Sequence, residues 1–160
     1  PHRAPDTSAR EEGEQTAMRI PNALNLGTAW TFEIPGPPVP KGRPRRNNKT
    51  GNWYTPTRTQ DAERHVMECA MAAGVRLEPK KPYGIEMYFF LSARPRDIDN
   101  LGKLVMDSLG TLGKNDGWND RQIVDMYARV VSVKSAQEEK TVVRVGEHRS
   151  IKLPGDNRGL

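Results

Sequence analysis

The sequence predicts an α+β fold, a mixed four-stranded sheet with two helices packed on one face, in the order β-α-β-α-β-β. Three observations predict it. Segments of period-two alternation interleave with two stretches of helical period. The last two extended segments follow each other with no helix between them. A length of 160 residues suits one core rather than two.

The first strand is read from residues 30–36, where Trp30, Phe32 and Ile34 alternate with polar residues before a Pro/Gly cluster. Residues 35–56 hold too much Pro and Gly for an element interior and are expected to form one long loop. Loops of that length inside a compact domain are usually functional or disordered. The first helix runs from Thr57 or Thr59 to about Gly74, with Ala62, Val66, Cys69, Ala70 and Ala73 on one face. Residues 84–93 form the second strand, and Ile85, Met87, Phe89 and Leu91 point one way. A second helix from about Asp99 to Leu109 buries Leu101, Leu104, Val105 and Leu109. A glycine-rich loop follows over 110–120. Residues 122–134 and 140–147 are two strands joined by a polar turn, hence an expected hairpin. Residues 1–28 and 148–160 show neither period and are read as polar tails around one domain, 29–147.

Charge narrows the function. Twenty-five Lys and Arg oppose 20 Asp and Glu, for a net +5 and an isoelectric point near 9.5. A basic surface of this kind points to an anionic partner. The single cysteine, Cys69, excludes an intrachain disulfide and a Cys-rich zinc site. No apolar run approaches the roughly 18 residues of a membrane span, and no signal-peptide core is visible, so a cytoplasmic location is expected.

The densest chemistry lies at 94–110. Asp97 and Asp99 sit two positions apart between Arg96 and Lys103, with Asp107 beyond. Such carboxylates repel one another unless a cation offsets them. As an N-cap, Asp99 is worth about 1 kcal/mol to the helix, and Asn100 serves if the boundary shifts. Asp97 is read as the end of a strand, where i and i+2 share a face and both carboxylates turn one way while Ile98 turns inward. Two hard oxygen ligands on one side suit Mg²⁺ or Mn²⁺. Positions 99, 103 and 107 share a helix face. Lys103 is therefore either a partner in surface salt bridges or an ammonium placed to meet transition-state charge. Asp120 is the candidate third ligand, because the preceding loop is long enough to return to the cluster. Asp116 is its rival, better explained by turn chemistry.

Upstream, Lys41, Arg43, Arg45 and Arg46 are interleaved with Pro and followed by Trp53 and Tyr54. That pattern suits phosphate contacts plus stacking on an exposed base. With Arg96, these are the candidate DNA-binding residues.

The segments "PGPPVPKGRPR", "YTP", "RDIDNLGKLVMDSLG" and "NDRQIVD" together resemble the RusA family of Holliday junction resolvases, over roughly residues 30–146. The resemblance implies a homodimeric, Mg²⁺-dependent endodeoxyribonuclease that cuts four-way DNA junctions by paired nicks, in DNA recombination and repair. It implies catalytic aspartates at Asp97, Asp99 and Asp120 and an essential lysine at Lys103. Asn119 stands where some members carry an acidic residue. Two other readings stay open at this point: a nuclease for flaps or other branched DNA, and a basic DNA-binding protein without cleavage, its aspartates serving only as caps.

Overall fold

The structure, a computed structural model, describes residues 22–93 and 96–149. The parts of the expected tails at 1–21 and 150–160 lie outside the described residues. Strand β1 (Leu26–Pro35) leads to a two-stranded ribbon of β2 (Arg45–Arg46) and β3 (Trp53–Tyr54). Helix α1 (Thr57–Ala72), strand β4 (Tyr83–Leu91), helix α2 (Ile98–Gly113), strand β5 (Ile123–Ser132) and strand β6 (Lys140–His148) follow.

The main sheet has the order β1-β6-β4-β5. All nine residues of β4 are buried, as an apolar run at the centre of a covered sheet should be. Strand β4 pairs in parallel with β5 and antiparallel with β6. A parallel neighbour requires a crossover, and α2 supplies it. Both helices pack on one face. Val66 and Ala70 of α1, and Leu101, Leu104, Val105 and Leu109 of α2, meet Ile85, Met87 and Phe89 of β4 and Val143 and Val145 of β6. A smaller cluster of Tyr88, Phe90 and Val142 occupies the other face.

The expected hairpin of the last two strands is not formed, because β4 lies between β5 and β6. The connection crosses the end of β4 instead, a reach of two strand spacings or about 10 Å. It is held there by Val133 N–H on Leu91 O at 3.0 Å and by Ser92 N–H and Oγ–H on Glu139 Oε1 at 2.9 and 2.7 Å. Ser135 and Glu138 close the turn with reciprocal capping bonds.

Three other boundaries differ from expectation. Strand β1 starts at Leu26, a buried residue, and Leu24 N–H donates to the buried Glu86 Oε1 at 2.8 Å; these contacts, not alternation, extend the strand. The long loop 35–56 contains the β2–β3 ribbon. Helix α2 continues through Gly110 to Gly113, where tertiary packing overrides the low helix propensity of glycine.

Candidate active site and nucleic-acid interface

Asp97, not Asp99, caps α2. Its carboxylate accepts Asp99 N–H at 3.1 Å and Asn100 Nδ2–H at 2.9 Å. The reading of Asp97 as a strand end is therefore corrected, since β4 stops at Leu91 and Ile98 is already helical. Ile98 is accordingly exposed rather than turned inward. The reason is local: an Asp cap satisfies orphan helix N–H groups, which an extended Asp-Ile-Asp cannot do.

Asp99 and Lys103 lie exposed on α2. Among the described residues neither side chain has an ion-pair partner, so the salt bridges Asp99–Lys103 and Lys103–Asp107 are not made. Asp107, one turn further on the same face, is taken by Lys41 instead, at 3.1 Å. The same ammonium bonds Glu63 of α1. Partial burial works against the charged lysine, but the bonds from Glu63 and Asp107 outweigh it and raise its pKa above the ordinary value. Lys41 thus ties the loop to both helices.

Asp120 sits at the other end of α2. A wall of one cleft is shared by Lys41, Glu63, Asp107, Gly110 and Asp120. A Cβ built on Gly110 would lie 3.9 Å from Asp120 Cβ, while Asp116 does not line that cleft. From Asp99 to Gly110 the helix rises roughly 16 Å. One protomer therefore does not bring Asp120 to Asp97 and Asp99. Among the described residues no three His, Cys, Asp or Glu side chains form a group that could hold a metal ion.

What fixes Asp120 is a hydrophobic anchor. Trp118, 2 % exposed, packs edge-on to Tyr83 at 6.3 Å and lies on Gly113. Asn119 accepts Arg121 N–H at 3.0 Å, and buried Gln122 donates to Glu78 O and Lys81 O, each at 2.9 Å. The departure at Asn119 therefore has a structural role, as the cap of the turn carrying Asp120. A Cβ on Gly113 would come within 2.6 Å of Trp118 Cε3. Gly113→Ala gains about 1 kcal/mol of helix propensity and loses about 1–3 kcal/mol to overpacking against a rigid ring. A net fall in urea-unfolding stability is expected. Gly110→Ala, with only an ordinary contact at 3.9 Å, is expected to leave stability unchanged or raise it.

The basic segment divides in two. Lys41 is held inward, and its backbone N–H donates to Asn100 O at 2.8 Å. Arg43, Arg45 and Arg46 are exposed. Arg45 pairs with Tyr54, and Arg46 with Trp53, across the ribbon. Trp53 is 70 % exposed and Tyr54 48 %. Aromatic faces this open, flanked by guanidiniums, suit stacking on unpaired bases. Arg96, also exposed, lies beside the β5–β6 connection, where it adds to the Ser92 hydrogen bonds in lowering the Glu139 carboxyl pKa.

Residues 35–146 match the family described as Endodeoxyribonuclease RusA. The chain belongs to the RusA family. Among curated proteins, none is found similar to it. The RusA match spans the ribbon, both helices and the turn carrying Asp120. As a RusA-family protein, the chain is an endodeoxyribonuclease of the Holliday junction resolvases. No helix among the described residues is long and apolar enough to cross a membrane.

Two residues around the Asp120 cleft escaped sequence reasoning. Glu63 was not singled out, and Trp118 fell within the glycine-rich loop 110–120. The available signal was Trp118 itself, a large apolar ring within a polar, glycine-rich segment, where burial against a neighbouring element is the usual outcome.

Proposed function

We propose that this RusA-family chain resolves four-way DNA junctions by Mg²⁺-assisted hydrolysis, with Asp97 and Asp99 as metal ligands and Lys103 facing the reacting phosphate. The carrying observation is the 2.8 Å bond from Lys41 N–H to Asn100 O. It joins the basic segment to the acidic first turn of α2, so phosphate contacts and carboxylates share one surface. The donor set fits a hard divalent ion. Asp99 is exposed and its carboxylate has no partner among the described residues, and Asp97 lies two residues away with hard carboxylate oxygens. Mg²⁺ needs few protein carboxylates and retains waters. When bound there, Mg²⁺ supplies an activated water and charge neutralisation at the scissile phosphate.

The chain's own groups do the rest. Arg43, Arg45 and Arg46 hold the DNA backbone, Trp53 and Tyr54 stack on bases opened near the branch, and Arg96 contacts a flanking phosphate. Among the described residues the Lys103 ammonium has no carboxylate partner, which leaves it to meet a phosphate whose negative charge grows during hydrolysis.

Asp120, roughly 16 Å along α2 from Asp99, joins the site through a homodimer. Each protomer contributes Asp97, Asp99 and Lys103 to one site and Asp120 to its partner's. Two such sites related by a two-fold axis suit paired nicks in a two-fold junction. Mixed dimers test this. An Asp99→Asn protomer paired with an Asp120→Asn protomer retains one site with every group intact and one site lacking both. Single nicking of the junction is expected from the mixture, and none from either variant alone. If each protomer built its own site, the mixture would be as inactive as its components. Mn²⁺ is expected to replace Mg²⁺, having the same hard-oxygen preference.

A further inference from the structure

Beside the ribbon, a cleft separates residues 39–45 from the first turn of α1, and three arginines are among the residues that line it: Arg43, Arg45 and Arg58. No Asp or Glu among the described residues lines it. Among the described residues none of the three arginines makes an ion pair or a hydrogen bond through its side chain. Three like charges gathered at one cleft repel one another, and no carboxylate among the described residues pairs with them. Their positions are nonetheless set by firm anchors. Lys41 N–H is bonded to Asn100 O at 2.8 Å, and Gly42 N–H to Thr59 Oγ1 at 3.2 Å. The loop passes so close to α1 that a Cβ on Gly42 would lie 2.5 Å from that hydroxyl. Arg43 leaves the chain directly after this pinned pair, Arg45 from the ribbon ladder, and Arg58 from α1.

We propose that this cleft is a preorganised seat for one backbone phosphate of the DNA, and that Arg58 is its third guanidinium. This seat rests on the junction-binding reading above and adds to it Arg58, a residue on a different element. Guanidinium forks match phosphate oxygens in pairs. The anchoring of residues 41–42 reduces the ordering cost on binding. Lys41 and Gly42 thereby act as the fixed mount of the seat, and the arginines as its contacts.

Arg64 provides an internal control. It lies on the same helix and is charged equally, but is paired with Asp61 at 3.4 Å and does not line the cleft. Binding of a labelled four-way junction is measured across a salt series, without divalent metal, for the parental protein and for Arg58→Ala, Arg58→Lys and Arg64→Ala. Arg58→Ala is expected to weaken binding about tenfold and to lower the log–log salt slope by roughly 0.9, the value for one phosphate contact. Arg58→Lys is expected to recover the slope but not the full affinity, because an ammonium lacks the fork. Arg64→Ala is expected to change neither. Equal effects from Arg58→Ala and Arg64→Ala would reduce the seat to diffuse charge and overturn the proposal. Inorganic phosphate, compared with chloride at matched ionic strength, is expected to displace the junction no better. Selective displacement that Arg58→Ala abolishes would reassign the cleft to free phosphate. A parental protein that fails to bind the junction would overturn the reading beneath the proposal, a distinct result from a bound junction indifferent to Arg58.

Discussion

Asp99→Asn is expected to reduce junction cleavage by on the order of 10³-fold, the equivalent of several kcal/mol of lost metal-assisted stabilisation, while junction binding persists or tightens. Asp99 is exposed and its carboxylate makes no bond within the described structure. An isosteric amide therefore removes charge without removing a structural contact. Binding should rise, if it changes, because one fewer negative group faces the phosphates. Asp97→Asn is expected to behave alike in cleavage, and since Asn caps helices as well as Asp, with only a small change in unfolding midpoint. Junction gel-shift affinity and single-turnover rate, measured on the same preparations, check the pair. A parallel loss of binding and cleavage would point to a folding role for these aspartates.

Lys103→Ala carries the second large expectation. Had Lys103 been bound to Asp99 or Asp107, its removal would cost a few tenths of a kcal/mol of stability and spare the rate. Asp107 is instead held by Lys41, and Lys103 has no carboxylate partner among the described residues. Its removal is therefore expected to leave stability almost untouched. The single-turnover rate at saturating enzyme is expected to fall by on the order of 10²-fold or more, because the ammonium meets charge that grows in the transition state. Lys103→Arg is expected to recover part of the rate only, since a planar guanidinium does not fill the place of a compact ammonium. A Lys103→Ala protein that cleaves at close to the parental rate under saturating Mg²⁺ would remove this lysine from the chemistry.

The faces of the elements were legible in the sequence, because period and burial are directly linked. Val66 and Ala70 on α1, and Leu101, Leu104, Val105 and Leu109 on α2, are buried as their spacing implied. The order of the strands was not. Alternation says which side of a strand is buried but not which strand lies beside it, so the neighbours of β5 and β6 were misread as each other. The acidic cluster was visible as composition, yet its backbone was not. Asp97, Asp99 and Asn100 all cap helices well, and only the observed bonds select Asp97. Lys41 shows the same limit from the other side. In the sequence it is one of several cations in a basic run, and only the fold shows Glu63 and Asp107 converging on it. The ribbon was hidden because each of its strands is two residues long, too short for any period. Arg58 was hidden because a charge in the first turn of a helix usually means a solvated face.

Cleavage of a labelled synthetic four-way junction, with and without Mg²⁺, tests the central claim most directly, with duplex and flap DNA of matched sequence beside it. Paired, symmetric nicks across the branch are expected only with Mg²⁺, binding is expected to survive chelation of the metal, and the duplex is expected to remain intact. A protein that binds the junction but nicks nothing at any Mg²⁺ concentration, or that cuts the flap in preference to the junction, would contradict the account.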